Sequence, residues 1–370
     1  NVVMRLGGST GFAESPQTIV DDIAVVKPNF LVAVPRVFNR IYDGLCARMN
    51  ETGGLAKKLF DMGVSAGRHR RELLKDGKKS YLTELKFKIA DKVVFSKIRE
   101  RFGGQLSQCV SSSAALSPVI AEFFFDIGIP IYEAWGMTEI SPAGTMNSPE
   151  AYKIGSCGRA IDKVTLHIDR SVIEDDPNGK EGELIIYGPN VMKGYHNKPE
   201  ETRATMTDDG GLRTGDRAFV DEDGFLYITG RIKEQFKLEN GKFVFPVAMQ
   251  EEITLMPIVE QTMIYGLNKP YTICLVFPDL NVLKPIAEKN GWPADPAEMV
   301  KIKAVHEYFT NEIASHLKGK FGSYEIPKKV LVLAEGFTLQ NGLLTQTFKL
   351  KRKEVLKRYQ EEIDRLYSED

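Results

Sequence analysis

Hydrophobic and polar positions divide the chain into stretches of different texture. From about residue 20 to residue 104, apolar residues recur every three or four positions, which predicts mostly helices. One short apolar run, FLVAV at 30–34, stops at Pro35 and predicts a buried strand within a layered α/β core. From 105 to 149, short apolar runs alternate with loops of small residues, as in an α/β domain.

In the second half of the chain, the pattern of apolar residues first becomes typical of strands and then becomes mixed. Between residues 155 and 230, short apolar runs are separated by turn residues such as Asp223-Gly224, which predicts several strands joined by turns. After residue 230 the pattern is mixed α+β, and the chain ends on a predicted amphipathic helix. The apolar positions of that helix are Val355, Leu356, Tyr359, Ile363 and Leu366.

Composition narrows the class of protein. At 370 residues the chain is long enough for two or three domains. With 49 Lys and Arg against 50 Asp and Glu, it is neither a polycationic nucleic-acid binder nor an acidic disordered chain, so no nucleic-acid partner is expected. Its four cysteines form no CxxC pair, and no apolar run approaches the length of a membrane span. We therefore expect a reduced, cytoplasmic protein without a zinc or disulfide framework.

Charge is uneven in one place. The predicted helical stretch 55–101 contains fourteen Lys or Arg and six acidic residues. A solvated helix surface accounts for such a pattern in most proteins. The alternative is peripheral attraction to an anionic membrane surface, where each nearby basic residue contributes about 1 kcal/mol.

Candidate chemistry begins in the small-residue run SSSAALSP at 111–118, because small side chains let a backbone approach a flat ligand. It is followed by IYEAWGMTE at 131–139, a predicted short strand that enters a loop. Within five residues that loop carries an aromatic ring, a hydroxyl and a carboxylate, which suit base stacking and a hard cation such as Mg²⁺. Taken singly, Trp135 is more typical of a core residue than of a stacking ring, and Glu139 is more typical of a solvated carboxylate than of a metal ligand.

Two further segments carry polar candidates. LRTGD at 212–216 precedes a predicted β-turn-β unit that closes with GRIKE at 230–234. An Asp can accept hydrogen bonds from two ribose hydroxyls, and an Arg supplies donors in a rigid fork. TQTFKLKR at 345–352 is a basic loop before the final helix, where a lysine either enters a phosphate site or lies in solvent.

Together these motifs resemble, in their order, the acyl-adenylate-forming (AMP-binding) synthetases. GELIIYGPNVMKGYHNKPEET at 182–202 and GRIKEQFKLENGKFVFP at 230–246 belong to the same series. The chain is most similar to the long-chain fatty acid–CoA ligases, because of PRVFNRIY at 35–42 and the helical insertion before the serine-rich loop.

The resemblance implies an α/β fold with two domains. Residues 1–231 would be the C-terminal part of the large AMP-binding domain, a partial α/β sheet domain with a distorted β-barrel subdomain at about 155–230. Residues 232–370 would be a smaller, mobile α+β lid. The family's lysine-containing phosphate loop is absent, and GGSTG at 7–11 does not replace it because no lysine follows. We therefore expect the C-terminal portion of a longer enzyme, inactive or nearly so by itself.

The resemblance also implies site residues around a single nucleotide. Those that would bind the adenine side are Ser112, Ser113, Ala114, Trp135 and Gly136, with Trp135 stacking on the base. Those that would act on the phosphates are Thr138 and Glu139, with Glu139 also holding Mg²⁺.

Other implied roles fall in the second half of the chain. Asp216 and Arg231 would hold the ribose, and Lys233 would be the hinge before the lid. Lys349 would be the catalytic lysine of adenylation, and Gly241 would approach the pantetheine arm of CoA.

The activity implied is ATP- and Mg²⁺-dependent joining of a fatty acid to CoA through an acyl-AMP. Two alternatives stay open at this point. One is an adenylating enzyme that loads a carrier-protein thiol, and the other is a non-catalytic fragment that binds a nucleotide or an acyl chain. The missing phosphate loop favours the non-catalytic fragment. The mass of the product formed with CoA or with a carrier distinguishes a carrier-loading enzyme from a CoA ligase.

Overall fold

The computed structural model describes residues 7–14, 18–114, 116–173, 179–345 and 349–368. The chain forms two compact units. The first unit comprises Asn1–Asp169, Leu184–Thr214 and Ala218–Ile228, and the second comprises Arg170–Glu183, Gly215–Arg217 and Thr229–Asp370. Across the described ranges, every helix is too short or too polar to cross a lipid bilayer.

The first unit is built on a five-stranded sheet of order β1-β2-β3-β4-β5. Its strands are β1 (Phe30–Ala33), β2 (Gln108–Ser111), β3 (Ile131–Gly136), β4 (Ala143–Met146) and β5 (Arg159–Ala160). The first three run parallel, and the last two continue the sheet antiparallel. Because β2 and β3 are parallel neighbours, their carboxyl ends lie at the same edge of the sheet.

Five of the seven described helices of the first unit lie in or next to the stretch from 20 to 104 that the apolar spacing predicts to be mostly helical. The seven helices are α1 (Ile19–Val26), α2 (Pro35–Thr52), α3 (Gly54–Lys75), α4 (Tyr81–Ala90), α5 (Ser96–Arg101), α6 (Pro118–Asp126) and α7 (Pro199–Thr205), with a π-helical turn at Asp91–Phe95. Phe38 of α2 and Phe124 of α6 are fully buried and meet edge to face, with ring centroids 5.8 Å apart. The prediction that 55–101 is mostly helical is confirmed.

Strand β1 lies where the FLVAV run predicts it, and Pro35 occupies the first turn of α2. Its predicted burial is wrong. Phe30 is 46% exposed and Val32 is 64% exposed. The reason is its position, because β1 is the first strand in the sheet order and is paired on one side alone among the described residues.

The strand-rich region after residue 155 forms a four-stranded sheet of order β6-β7-β8-β9. Its strands are β6 (Thr165–Asp169), β7 (Gly182–Tyr187), β8 (Leu212–Val220) and β9 (Leu226–Arg231). The predicted distorted barrel at about 155–230 is corrected to an open sheet in the part of the chain that the structure describes. Strands β6 and β9 are the two ends of the sheet order and do not pair with each other among the described residues.

The second unit contains a three-stranded sheet of order β12-β13-β14, preceded by a short hairpin. The strands are β10 (Phe236–Lys237), β11 (Phe243–Val244), β12 (Val259–Tyr265), β13 (Ile273–Pro278) and β14 (Lys329–Val332). Its helices are α8 (Pro246–Ile253), α9 (Leu280–Asn290), α10 (Pro296–Met299), α11 (Lys303–Leu317), α12 (Arg352–Arg358) and α13 (Gln360–Ser368).

Strand β13 shows why this sheet carries two cores. Cys274 and Val276 point to the cluster that includes helices α8 to α11. Ile273 and Leu275 point to the opposite cluster, which includes residues of α12 and α13. A strand covered on both faces reads as a continuous apolar run, as ICLVF does here.

The predicted final helix is present but divided. Tyr359 separates α12 from α13, with φ −107° and ψ 22°. Val355 and Ile363 on either side are nevertheless fully buried in the same cluster, so the amphipathic pattern is correct. Residues 346–348 of the basic loop before α12 lie outside the described residues, as do residues 174–178. The predicted mixed α/β fold with several sheets is thus confirmed.

Candidate functional site

The edge of the first sheet brings two of the sequence motifs together. Ser111 at the end of β2 is in register with Glu133 of parallel strand β3. The serine-rich loop follows β2, and the loop with Thr138 and Glu139 follows β3. Ligands of parallel α/β sheets bind at such carboxyl-terminal edges, so this edge is the candidate site of the first unit.

The loop after β2 presents small residues at the surface. Ser112 is half-buried, and Ser113 and Ala114 are exposed. Ser113 has φ 81°, in the left-handed region that glycine adopts without steric cost. A serine therefore occupies a backbone position that favours glycine.

Glu133 ties this loop to β3, and it was not among the residues that the sequence singles out. It is 7% exposed, and its two carboxylate oxygens accept the backbone N–H groups of Leu116 at 3.2 Å and Gly155 at 3.1 Å. Burial raises the pKa of Glu133 to about 7, against the opposing effect of the two N–H donors. An acidic residue within the apolar run IYEAW is the sequence signal that could have identified it.

Trp135 lies in the core of the first unit. It is 9% exposed and packs in a cluster of buried apolar residues. The other buried members are Ile140, Leu184, Ile186, Leu212, Ala218 and Leu226. The structure therefore supports the core interpretation of this ring, and stacking on a base stays a prediction.

Gly136 is required by close packing. A Cβ atom at this position would lie 1.8 Å from the carbonyl oxygen of Pro142, so any side chain would displace the backbone. The pairing of β3 with β4 shifts register between Trp135 and Gly136. This irregularity ends the strand and begins the loop with the candidate phosphate residues.

Thr138 and Glu139 lie in a short 3₁₀ turn, Thr138–Ile140, directly after β3. Thr138 is exposed, and Glu139 is half-buried. The Tyr195 hydroxyl donates a hydrogen bond of 2.8 Å to Glu139 Oε1, and the Met192 N–H donates one of 2.8 Å to the Glu139 carbonyl. Burial first and the neighbouring Glu139 second raise the pKa of Tyr195. Sequence reasoning missed Tyr195, which lies 56 positions away.

The donor set around Glu139 decides what kind of metal site fits. Groups of three or more His, Cys, Asp or Glu side chains able to hold a metal are absent from the described residues. A single carboxylate matches Mg²⁺, which is commonly held by one or two carboxylates together with substrate phosphates and water. It does not match a metal held by protein ligands alone.

In the second unit, Asp216 and Arg231 form an ion pair. Arg231 Nε lies 2.6 Å from Asp216 Oδ1, and the side chains are 40% and 3% exposed, respectively. The neighbouring Arg217 pairs with Glu181 and places its guanidinium 4.0 Å from the ring centroid of Phe245. The two residues that the sequence assigns to the ribose are therefore brought together, with the carboxylate buried and the guanidinium partly accessible.

The predicted hinge and CoA-contacting residues lie in turns of the second unit. Lys233 is exposed in the turn after β9, where the N–H of Glu234 bonds the carbonyl of Arg231 at 3.1 Å. Gly241 has φ 85° in the β10–β11 hairpin, and a Cβ atom there would lie 3.8 Å from Lys237 Cε, an ordinary contact distance. Backbone conformation, not crowding, therefore favours glycine at position 241.

Lys349 is exposed at the end of a narrow loop. Its N–H is donated to the Thr345 hydroxyl at 3.1 Å, and its carbonyl accepts the Thr345 N–H at 2.8 Å. Three residues later, Arg352 is anchored by Gln250 Oε1 at 2.9 Å and by the carbonyl of Ile264. The fold thus exposes Lys349 to solvent and fixes the Arg352 guanidinium three residues later.

Two family profiles match the chain. The profile described as AMP-binding enzyme matches residues 1–196, and the profile described as AMP-binding enzyme C-terminal domain matches residues 233–370. The first alone covers more than half of the chain.

Curated relatives carry consistent names. Fatty acyl-CoA synthetase A of Dictyostelium discoideum is 31% identical over 100% of this chain and 56% of its own length. Long-chain-fatty-acid–CoA ligase 5 of Mus musculus is 32% identical over 99% of this chain and 53% of its own length. The chain therefore spans about half the length of the curated relatives it matches.

Solved structures share the fold. The adenylation domain of a carboxylate reductase from Mycobacterium chelonae has a TM-score of 0.70 at 24% identity, covering 96% of this chain and 49% of that one. ATP-bound MatB from Rhodopseudomonas palustris has a TM-score of 0.60 at 22% identity, covering 97% and 56%. At these identities the likeness concerns the fold alone.

Proposed function

Because the chain belongs to the AMP-binding enzyme family, we propose that the protein is a long-chain fatty acid–CoA ligase. It would activate a fatty acid with ATP and Mg²⁺ and transfer the acyl group to CoA. The proposal is supported by the names of relatives at about 30% identity along the whole chain. Since those relatives are about twice as long, the activity belongs to the whole protein that contains these residues.

The observation that carries the proposal is the common edge of β2 and β3. Parallel pairing places the loop at 112–114 and the loop at 137–139 at one end of the sheet. In this position Ser112, Ser113 and Ala114 would contact the adenine, with Trp135 and Gly136 at the end of the neighbouring strand. Thr138 and Glu139 would meet the phosphates.

The first step must make a carboxylate reactive. The fatty acid carboxylate attacks the α-phosphate of ATP, the bond to pyrophosphate breaks, and an acyl-AMP is formed. Such transfers depend mainly on positioning and on neutralising charge. Mg²⁺ would offset phosphate charge when bound, and the half-buried Glu139 carboxylate is the residue suited to hold it.

The remaining roles are assigned by residue type and accessibility. The buried Asp216 carboxylate would accept hydrogen bonds from ribose hydroxyls while Arg231 fixes its orientation. Lys349, which is exposed, would supply a compact positive charge to the adenylation step. In the second step the CoA thiol attacks the acyl carbonyl and AMP leaves. Gly241 would approach the pantetheine arm after a rearrangement about Lys233.

The 370 residues alone should have little or no activity. No lysine-containing phosphate loop occurs in the sequence. Strand β1 lies at the edge of its sheet among the described residues, and the backbone groups of an edge strand can pair with a further strand. ATP–pyrophosphate exchange at ordinary enzymatic rates by this chain would contradict that part of the proposal.

The test separates the two half-reactions in the whole protein. Lys349→Ala should lower formation of acyl-AMP from fatty acid and ATP by 100-fold or more, by analogy with the loss of one preorganised electrostatic donor. The rate of thioester formation from preformed acyl-AMP and CoA should change by less than about threefold, which is much smaller than the rate loss caused by removing one such donor. Lys351→Ala is the control, since it removes an equally exposed lysine two residues away.

Equal loss of both half-reactions in Lys349→Ala would refute the role of this lysine. If the protein forms a product with a phosphopantetheinylated carrier but not with CoA, the acyl acceptor is the carrier thiol, and the proposal that CoA is the acceptor is wrong.

A further inference from the structure

Helix α4 and the π-helical turn after it expose a stripe of apolar side chains. Leu82, Leu85, Ile89 and Val93 are 68%, 44%, 45% and 43% exposed, and their spacing of three, four and four residues places them on one side. Tyr81 at the start of the helix is 81% exposed. These five residues are called the α4 face below.

The opposite side of the same helix is the one that packs against the protein. Thr83, Ala90 and Val94 are buried, and Phe87 meets the buried Phe95 with ring centroids 6.1 Å apart. The helix is thus already anchored by a complete internal face. The α4 face is a second apolar surface that the described part of the fold does not use.

Lysines border the α4 face. Lys86, Lys88, Lys92 and Lys97 are all exposed along α4, the π-helical turn and α5. The acids of this segment are held elsewhere. Glu84 pairs with Arg70 at 2.7 Å, and Asp91 pairs with Arg99 at 2.7 Å. Glu100 remains exposed at the end of α5, so the surroundings of the apolar stripe are predominantly positive.

We propose that the α4 face binds an anionic lipid bilayer. A stripe of apolar side chains bordered by lysines is the pattern of an interfacial helix, with its apolar side at the level of the acyl chains and its amines at the headgroups. A solvated helix surface would account for the lysines but not for the exposed Leu, Ile and Val side chains. This inference goes beyond the proposed activity and does not depend on it.

A second copy of the chain fits the α4 face less well. In a symmetric contact the four lysines of one copy would lie near those of the other, and like charges would oppose association. Phosphatidylserine headgroups instead supply the complementary charge. The occupant is therefore assigned to the membrane surface.

The experiment measures sedimentation of the full chain with vesicles of phosphatidylcholine, with and without phosphatidylserine. The charge-reversal variant carries Lys86→Glu, Lys88→Glu, Lys92→Glu and Lys97→Glu. Its matched control carries Lys284→Glu, Lys289→Glu, Lys301→Glu and Lys303→Glu, which reverse four exposed lysines of the second unit to the same net charge. Circular dichroism establishes that each variant keeps its helix content.

We expect the unmodified chain to bind vesicles with phosphatidylserine and to bind pure phosphatidylcholine vesicles at least tenfold more weakly. Reversal of the four lysines bordering the α4 face should lower binding on the order of 100-fold or more, and the control should lose less than about tenfold. A third variant, Leu82→Ser with Leu85→Ser and Ile89→Ser, keeps every charge. It should lose the binding that persists at high salt, because screening removes the electrostatic part alone.

Three results would overturn the proposal. They are equal binding by the charge-reversal variant and the control, no preference for phosphatidylserine, and no binding by the unmodified chain. A dimer that the charge reversal dissociates in the absence of vesicles would assign the α4 face to a second copy instead.

Discussion

At the scale of single residues, Glu133 lies in an environment that disfavours its ordinary charged form. Its carboxylate is buried on a sheet strand and is held by two backbone N–H groups from different loops. One of those donors, Leu116, belongs to the segment that carries the candidate adenine residues. The side chain therefore connects the stability of the sheet edge to the position of a candidate binding loop.

Glu133 should make stability depend on pH. Its folded-state pKa of about 7 lies above the ordinary value of 4.5, so the stability it contributes is complete below pH 4.5 and is lost as pH rises through 7. Relative to Glu133→Gln, the free energy of unfolding of the unmodified protein should fall by up to about 3 kcal/mol between pH 4.5 and pH 8. Urea unfolding of both proteins at several pH values measures this difference. A difference independent of pH would contradict the assignment.

Ser113 predicts a stabilising glycine substitution. A non-glycine residue in the left-handed region costs roughly 1–2 kcal/mol, whereas glycine costs about 0.5–1 kcal/mol in unfolded-state entropy. Ser113→Gly should therefore raise the free energy of unfolding by about 0.5 kcal/mol. Ser112→Gly is the matched control and should lower it, because Ser112 is not among the residues with positive φ. Equal effects of the two variants in urea unfolding would show that the strain at Ser113 is absent.

At this scale, the motifs pointed to two residues that the structure also brings together, and their role at a ribose stays a prediction. Asp216 and Arg231 were paired as ribose ligands from two motifs, and the structure places their side chains 2.6 Å apart. Glu133 and Tyr195 were missed. The burial of Glu133 and the hydrogen bond from Tyr195 to Glu139, 56 positions away, depend on tertiary packing that no local pattern encodes. For Trp135 the sequence left core and stacking roles open, and most of the buried side chains that pack with it, such as Leu184 and Leu212, lie more than forty positions away.

At the scale of elements, α3 packs closely against α6 through a glycine. A Cβ atom at Gly67 would lie 2.8 Å from the carbonyl oxygen of Asp126, which is backbone and cannot easily move. Beside this contact, Arg71 Nε lies 3.0 Å from Asp126 Oδ1. The charged pair and the missing side chain together fix the distance between the two helices.

Gly67→Ala should therefore destabilise the protein although alanine is the better helix former. Overpacking costs about 1–3 kcal/mol and helix propensity returns about 1 kcal/mol, so we expect a net loss of about 1 kcal/mol. Gly44→Ala in α2 is the control, since its Cβ would have open space, and it should gain up to about 1 kcal/mol. Thermal unfolding of the two variants compares them directly, and a gain in both would mean that α3 and α6 are not in close contact.

Elements with their own periodicity were predictable, and their surroundings were not. The FLVAV run gave β1 at the right place, but its exposure depends on how many strands pair with it. The last amphipathic stretch gave the buried positions of α12 and α13 but not the break at Tyr359. The strands at 155–230 were identified from turns and apolar runs, whereas closure into a barrel depends on strand number and tilt.

At the scale of the whole molecule, both units carry residues that the family resemblance assigns to adenylation. The first unit contains the candidate adenine and phosphate residues, and the second contains Asp216, Arg231 and Lys349. Family profiles match most of each unit, while relatives extend to about twice the length of the chain. The order of the motifs was therefore sufficient to identify the family. The missing phosphate loop predicted that the chain corresponds to only part of a family member, and the chain spans about half the length of its curated relatives.

The central claim is that these residues bind an acyl-adenylate. The most direct measurement is calorimetric titration of the chain with a non-reactive fatty acyl sulfamoyl adenosine, using Asp216→Ala and, as a control, Asp223→Ala, whose side chain is 64% exposed. The account predicts saturable binding that Asp216→Ala weakens on the order of 100-fold, as expected for two lost hydrogen bonds to a carboxylate, and that Asp223→Ala leaves unchanged. Absence of binding, or equal affinity of the Asp216→Ala variant and the unmodified chain, would contradict it.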